Sequence, residues 1–536
     1  MTIPEASPAT VLVIQLARFG DVLQTTPLLS ALKARYPNCQ LSVLITPNQT
    51  ELAKTNPNID KILTVDLEYL SSIARSASPL SEKIKRLSKS TGQLKNQEYD
   101  RLINLNTSRI AALLGHFIPA KKREGARFGQ DRKRLLTAPW TGFIMNLMAN
   151  RRLIRFNLVD LLTTYAGNGV QPPERLTYPL TSEMNRMAAG LLGPHRNGPL
   201  IGFQLGSRHE ARQWPIEYFT ALGQRLIKEN EAQIVLLGTD QERSLGEKFL
   251  AELFQTVPQS RGKVINLMGK TTIPGLAGVL NRLDLLVTTD TGSMHLAAAV
   301  GTQILALFMG PAYCHETGPY GPGHLIIQSV TDCSPCTENE SQCTDTICRY
   351  QIKPDFVFLL SSYLLKKKTK NIRFQRELES NLRVLVSEID DFGAIYRPLV
   401  TRPLDLEEVM AHAWREAGRS FMRAKYRLNH EKLAAEFMRF EPAKLPGLGD
   451  LVRGLIALDR LLPFKKGQHT MAAIQKIVTG EPTLEPLVRT FLDPEMNSEK
   501  ARLMMDNIKT VVSIARSFCA SSESNTEADV CHEAKG

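Results

Sequence analysis

The chain has 536 residues, of which 43% are hydrophobic and 22% charged, and its formal net charge is +12. That length is too great for one core and suits two to four domains, and the apolar content excludes a disordered chain. The positive balance points to an anionic partner, but aromatics are only 7% and no run interleaves them with arginine, so nucleic acid is not the expected one.

The opening "MTIPEASPATVLVIQLARFGD" carries no basic leader, and its apolar run is one strand long, so a signal peptide is not expected. No window of about 18 apolar residues occurs, so no membrane span is expected either. These features place the chain in the cytoplasm, where its eight cysteines are expected to stay reduced.

The apolar run 11–16 predicts a buried strand, "ARFG" a tight loop, and "DVLQTTPLLSALKARYP" a helix that Asp21 can cap. Strands follow at 41–46, 61–66 and 99–106, separated by a short helix and then a Ser/Lys-rich helical stretch. Alternation at this spacing predicts a parallel sheet covered on both faces. Segment 132–167 sets Trp140, Phe143, Ile144 and Met145 among many arginines. It reads either as a core helix with a basic flank or as an edge resting on an anionic lipid surface.

"GPHRNGP" (193–199) is a natural linker. After it the alternation restarts, with strands at "LIGFQL", "AQIVLLG", "VINLMG", "DLLVTTD" and "QILALF". The expected fold is therefore α/β: two doubly wound domains, at 1–185 and 198–362, facing a cleft, with ligands at the carboxyl ends of the strands. Residues 365–390 read as a charged helix and 365–515 as an all-helical extension, with Asp405 capping "LEEVMAHAWREAG". The tail, 520–536, reads as disordered.

The chemistry concentrates where strands give way to helices. In "TTDTGSMHLAAAVG" (288–301) the order Asp290, Thr291, Gly292, Ser293 ahead of a helix makes an anion site from free N–H groups and the helix dipole. The plainer alternative is that Ser293 or Asp290 merely caps the helix. "GFQLGSRHEARQWP" (202–215) offers Ser207, Arg208, His209 and Arg212 at a second strand end, and two such ends suit a diphosphate. Asp21 follows the first strand as a general base or as a helix cap. "CSPCTENESQCTDTIC" sets out Cys333, Cys336, Cys343 and Cys348 as a possible structural zinc set or as metal-free thiols.

Taken in order, "ARFGDVLQTTPLLSALKARYP", "FQLGSRHEARQWPIEYFTAL", "IVLLGTDQE", "INLMGKTTIPGLAGVL", "TTDTGSMHLAAAVGT" and "FMGPAYCHETGPYGP" resemble glycosyltransferase family 9 over roughly residues 10–355. The resemblance is to bacterial ADP-heptose:lipopolysaccharide heptosyltransferases, most of all the second type. It implies a GT-B fold and an inverting, metal-independent transferase that requires no cofactor. It implies an ADP-sugar donor bound by the C-terminal domain and a lipid-linked core acceptor held by the N-terminal one, at the inner face of the cytoplasmic membrane. On the same basis Asp21 matches the catalytic base. Thr291, Gly292 and Ser293 match the diphosphate turn, Asp290 the donor-sugar contact, and His295 the histidine of the D-T-G-x-x-H pattern. Met268 and Gly269 fall at the adenine, Glu242 at the ribose and Ser207 on the second phosphate loop. Arg212 stands where many members carry lysine in K-x-W-P, which keeps the charge and changes the geometry. Two rivals remain: a transferase of this fold using another nucleotide sugar, and a non-catalytic nucleotide-binding scaffold. A dehydrogenase is disfavoured, since no G-x-G-x-x-G follows the first strand.

Overall fold

The computed structural model describes residues 8–128, 134–137, 140, 144, 147–167, 170–194, 198–336, 343, 346–366, 381–422, 428–441, 445, 448–461, 484 and 498–533. The chain divides into two compact units, Met1–Ala138 with Leu158–Ala394, and Pro139–Asn157 with Ile395–Gly536.

The first unit is built on two sheets. One holds β1 (Thr10–Ile14), β2 (Gln40–Ile45), β3 (Lys61–Thr64), β4 (Tyr99–Asn104), β5 (Ala120–Phe128) and β6 (Arg134–Thr137), in the order β3-β2-β1-β4-β5-β6. All its pairs are parallel except β5–β6. The other sheet begins with β7 (Leu200–Gln204), β8 (Gln233–Leu237), β9 (Val264–Asn266), β10 (Leu285–Thr289), β11 (Ile304–Phe308) and β12 (Leu325–Ser329). Two later strands, β13 (Leu382–Ile389) and β14 (Ala394–Pro398), extend it to β14-β13-β12-β11-β10-β7-β8-β9.

The central strands are continuous apolar runs because helices cover both faces. Every residue of β7, β8, β10, β11 and β12 is buried. In each sheet the order reverses beside the first strand, at β1/β4 and at β7/β10. Such a switch point leaves a crevice at the carboxyl ends of the strands, where α/β sheets take their ligands.

Three expectations need correction. Residues 382–389 form a strand and not a helix. "LRVLVSEI" is apolar enough to pair antiparallel with β12, Leu325 opposite Val386, and so covers an edge whose five residues are all buried. Residues 367–380 of that expected helix lie outside the described residues. Residues 520–533 of the tail expected to lack order continue a helix, Ser498–Glu533, whose inner half buries Met504, Met505, Ile508, Val511 and Val512, and residues 534–536 lie outside the described residues. Once that half is docked, each added turn needs no new nucleus. Residues 394–398 of the expected all-helical extension are likewise a strand, while its later elements are helical as expected, at Leu406–Met422, His430–Phe437 and Leu448–Leu461, and Asp405 accepts from Glu408 N at 2.8 Å as the cap.

The third concerns segment 132–167, where the core reading holds for the described residues and the lipid-edge alternative gives way. Trp140 and Ile144 are buried and do not face outward. Arg155 is buried too, with Nη2 3.2 Å from Glu408 Oε2, and Arg152 pairs with Glu407 at 3.5 Å. A guanidinium already neutralised inside a core has no charge to offer an anionic surface. Arg132, Lys133, Phe143 and Met145 lie outside the described residues. No helix among the described residues is long and apolar enough to cross a membrane.

Candidate active site

Helix α1 (Phe19–Arg35) leaves the end of β1, and helix Gly292–Val300 leaves the end of β10. The two meet at their N-termini. The approach needs glycine on both sides. A Cβ on Gly292 would stand 2.3 Å from Phe19 Cδ1, and one on Gly20 would stand 2.8 Å from His295 Cδ2. Strand ends from both sheets therefore supply one cluster of side chains.

Asp21 is the third residue of α1. Its Oδ2 accepts from Arg18 N at 2.9 Å, so it does cap the helix. Burial raises its pKa above the ordinary carboxylate value. The Arg18 N–H and the charges of His295 and Arg18 oppose that rise, and Asp290 adds to it.

Asp290 ends β10. Its Oδ2 lies 2.9 Å from Arg212 Nη1 and accepts from Thr317 Oγ1 at 3.2 Å, while Oδ1 stands 4.0 Å from His295 Nε2. The guanidinium is thus anchored on the carboxylate at the mouth of the β7 and β10 loops. His295 is buried, and its pKa falls to about 4, first through desolvation and against the charge of Asp21. The ring is neutral at physiological pH, set between two acids.

Neither Asp290 nor Ser293 caps helix Gly292–Val300. Thr291 takes the N-cap position with extended backbone and no side-chain cap bond, and its hydroxyl lies 3.2 Å from Thr288 Oγ1. The first-turn N–H groups of Gly292 and Ser293 are left without a side-chain acceptor, at the positive end of the helix dipole.

The second loop is arranged around Glu242. This carboxylate accepts from Thr239 N at 2.8 Å and Thr239 Oγ1 at 3.0 Å, closing a capping box after β8. It also fills the space where Gly206 lacks a side chain, since a Cβ there would lie 2.1 Å from its carboxyl carbon. Ser207, next in line, is buried, and its carbonyl accepts from Gln213 Nε2 at 2.7 Å. Met268 is buried as well, its thioether against Gly238 and Gly246, so it is part of the domain core beneath the strand ends. Gly269 turns with φ +69° and donates to Gly238 O at 3.0 Å.

Asp21, Arg212, Asp290 and His295 are brought together around the Thr291–Ser293 turn. Glu242 and Ser207 share one loop contact, while Met268 and Gly269 line the next strand end. Sequence reasoning missed Phe19, Gln24 and Thr317. Gln24 could have been found by its spacing, one helical turn after Asp21 on the same face.

The four loop cysteines are not gathered for metal. Cys333 and Cys343 are exposed, Cys336 half-buried and Cys348 buried. Burial pushes the Cys348 thiol up. Among the described residues no three His, Cys, Asp or Glu side chains group to hold an ion.

Two doubly wound sheets with their strand ends turned to one cluster of side chains make the GT-B architecture. Residues 87–346, a little under half of the chain, match the model of glycosyltransferase family 9 (heptosyltransferase). It is 28% identical over 337 residues to lipooligosaccharide heptosyltransferase 2 of Haemophilus influenzae, covering 60% of this chain and 88% of that protein. It is 25% identical over 291 residues to an Escherichia coli lipopolysaccharide heptosyltransferase 3, covering 54% of this chain and 80% of that one. The fold is shared with the solved structure of E. coli ADP-heptose lps heptosyltransferase II, with TM-score 0.50, 21% identity, and coverage of 67% of this chain and 99% of that chain.

Proposed function

We propose that this enzyme moves heptose from an ADP-heptose donor to a lipopolysaccharide core acceptor, with inversion at the anomeric carbon. The observation that carries the reading is the joining of Asp21 to the Asp290–Arg212 pair and the uncapped Gly292–Val300 helix. Asp21 takes the proton from the acceptor hydroxyl as its oxygen attacks the anomeric carbon. ADP leaves on the opposite face, and negative charge grows on its terminal phosphate. The N–H groups of Gly292 and Ser293 and the Arg212 guanidinium are fixed beforehand where that charge appears, so they stabilise the transition state more than the ground state. Asp290 holds Arg212 in place and is near enough to meet the sugar. Glu242 and Ser207 serve the ribose and the second phosphate, and Gly269 the adenine. No step needs a metal.

The family-model match over residues 87–346 and the similarity to lipopolysaccharide and lipooligosaccharide heptosyltransferases support the sugar and acceptor assignment. A core acceptor is lipid-linked, so the enzyme works as a peripheral protein at the inner face of the cytoplasmic membrane, and its net charge of +12 suits that surface. Mass spectrometry of the lipopolysaccharide core from a deletion strain tests the function. A core truncated at a heptose step is expected, and an unchanged core overturns the reading.

A further inference from the structure

We infer that Gln24 is a positioning residue of the transfer reaction, reaching from the helix that carries Asp21 to fix the ring of His295 on the donor side. This rests on the function proposed above, but its geometry stands independently.

Gln24 lies one turn after Asp21 on α1, and it is buried to 3% exposure. Its Nε2 sits 3.2 Å from His295 Nε2, and His295 is 4% exposed. The contact joins two residues 271 positions apart in sequence, one from each sheet's first-turn helix. The same Nε2 is 3.4 Å from the carbonyl of Gly20. A carbonyl can only accept, so the amino end of the amide must face this side. The amino group therefore donates to His295 Nε2 as well, which requires Nε2 to carry a lone pair. The neutral ring must hold its proton on Nδ1.

The arrangement leaves two buried polar atoms unpartnered, Gln24 Oε1 and His295 Nδ1. Native cores rarely leave such atoms unmatched, and these two lie beside the base and the donor turn. The charged groups facing the ring are Asp21 from α1 and Asp290 Oδ1 from the end of β10. Arg18 acts on Asp21, and Arg212 with Thr317 holds the other oxygen of Asp290. A ring fixed as the Nδ1–H form keeps positive charge away from Asp21, so the base keeps its basicity. Without Gln24 the ring is free to turn or to take the other tautomer, and the base loses its fixed neighbour.

Two measurements on the full-length enzyme test this. In the first, ring ¹⁵N shifts are recorded on histidine-labelled protein, with His295→Asn for assignment. The wild type is expected to show an unprotonated Nε2, and Gln24→Met, which keeps the side-chain volume, a mixture of tautomers. A wild-type ring protonated on Nε2 overturns the inference, whatever the activity. In the second, Gln24→Met is expected to lower kcat about tenfold while ADP affinity and melting temperature stay near wild type. Gln24→Glu sets a carboxylate beside both the ring and Asp21, raises the basicity of both, and moves the acid limb of kcat/KM, which Asp21 sets, upward by about one pH unit. Unchanged kcat in Gln24→Met, or a Gln24→Glu profile that overlays the wild type, removes Gln24 from the reaction. Absence of transfer by the wild type itself refutes the proposed function and leaves the ring measurement to decide the tautomer.

Discussion

Asp21 carries its charge at a cost, and that cost suits a base. Because burial raises its pKa in the folded chain above the unfolded value, the folded state binds the proton more tightly. The stability it contributes is full below the ordinary carboxylate pKa and is lost as pH rises through the raised one. Asp21→Asn keeps an oxygen to accept from Arg18 N and removes the buried charge. We expect it to melt higher than the wild type at neutral pH and to lose about a hundredfold or more in kcat. In the wild type, kcat/KM falls as pH drops through the raised pKa of Asp21, above the usual carboxylate range. An acid limb at the ordinary carboxylate pKa, or near-normal turnover by Asp21→Asn, places the base elsewhere. Arg212 is a different case, since its partner is a second buried acid. Arg212→Ala leaves Asp290 without its guanidinium, and we expect about 2 kcal/mol less stability and about tenfold weaker ADP binding. Calorimetry with ADP and a thermal melt read the two effects separately; unchanged values in both put the donor phosphate away from this residue.

The contact between α1 and helix Gly292–Val300 sets the scale of the element. These helices approach through Gly20 and Gly292, so a single methyl is felt across both sheets. Gly292→Ala drives a Cβ to 2.3 Å from the Phe19 ring, and the helices must part. We expect activity to drop about tenfold or more, and Phe19→Ala in the same chain to restore part of it by clearing the space. If the double variant is no better than Gly292→Ala alone, the loss comes from the turn's own backbone and not from the packing of the two helices. At this scale the sequence was largely legible. The continuous apolar runs marked the buried strands, and the small polar turn after β10 and the basic loop after β7 marked the candidate site, because both are local signals. Strand β13 was hidden because a lysine-rich run precedes it and its partner lies more than fifty residues upstream. A pairing of that range leaves no periodicity to read. Gln24 was hidden for the same reason, as its role depends on a histidine 271 positions away.

Over the whole molecule, the second unit shows how far a sequence can mislead about charge. Pro139–Asn157 interrupts the first unit and folds with Ile395–Gly536, so the basic stretch that could be read as a core helix or as a lipid-facing edge places Arg155 in a core. Glu408 is the centre of that core. It receives Arg155 at 3.2 Å, Arg402 at 2.6 Å and His412 at 3.4 Å, and all four side chains are at most 17% exposed. Arg155 Nη1 also donates to the carbonyls of Arg152 at 2.6 Å and Ile154 at 3.2 Å, and Arg415 donates to the Arg155 carbonyl. Removing one member of so dense a network strands the others away from water. We therefore expect Arg155→Ala to destabilise the second unit by about 3 kcal/mol, seen as an earlier transition in calorimetry, and Glu408→Gln to do nearly as much. If peripheral attachment depends on exposed charge, the fraction of Arg155→Ala that remains folded should sediment with phosphatidylglycerol vesicles as the wild type does. Binding of both should weaken at about 0.5 M salt, where screening is short-ranged. A variant that melts like the wild type but no longer sediments would return Arg155 to the surface and overturn its assignment to the core.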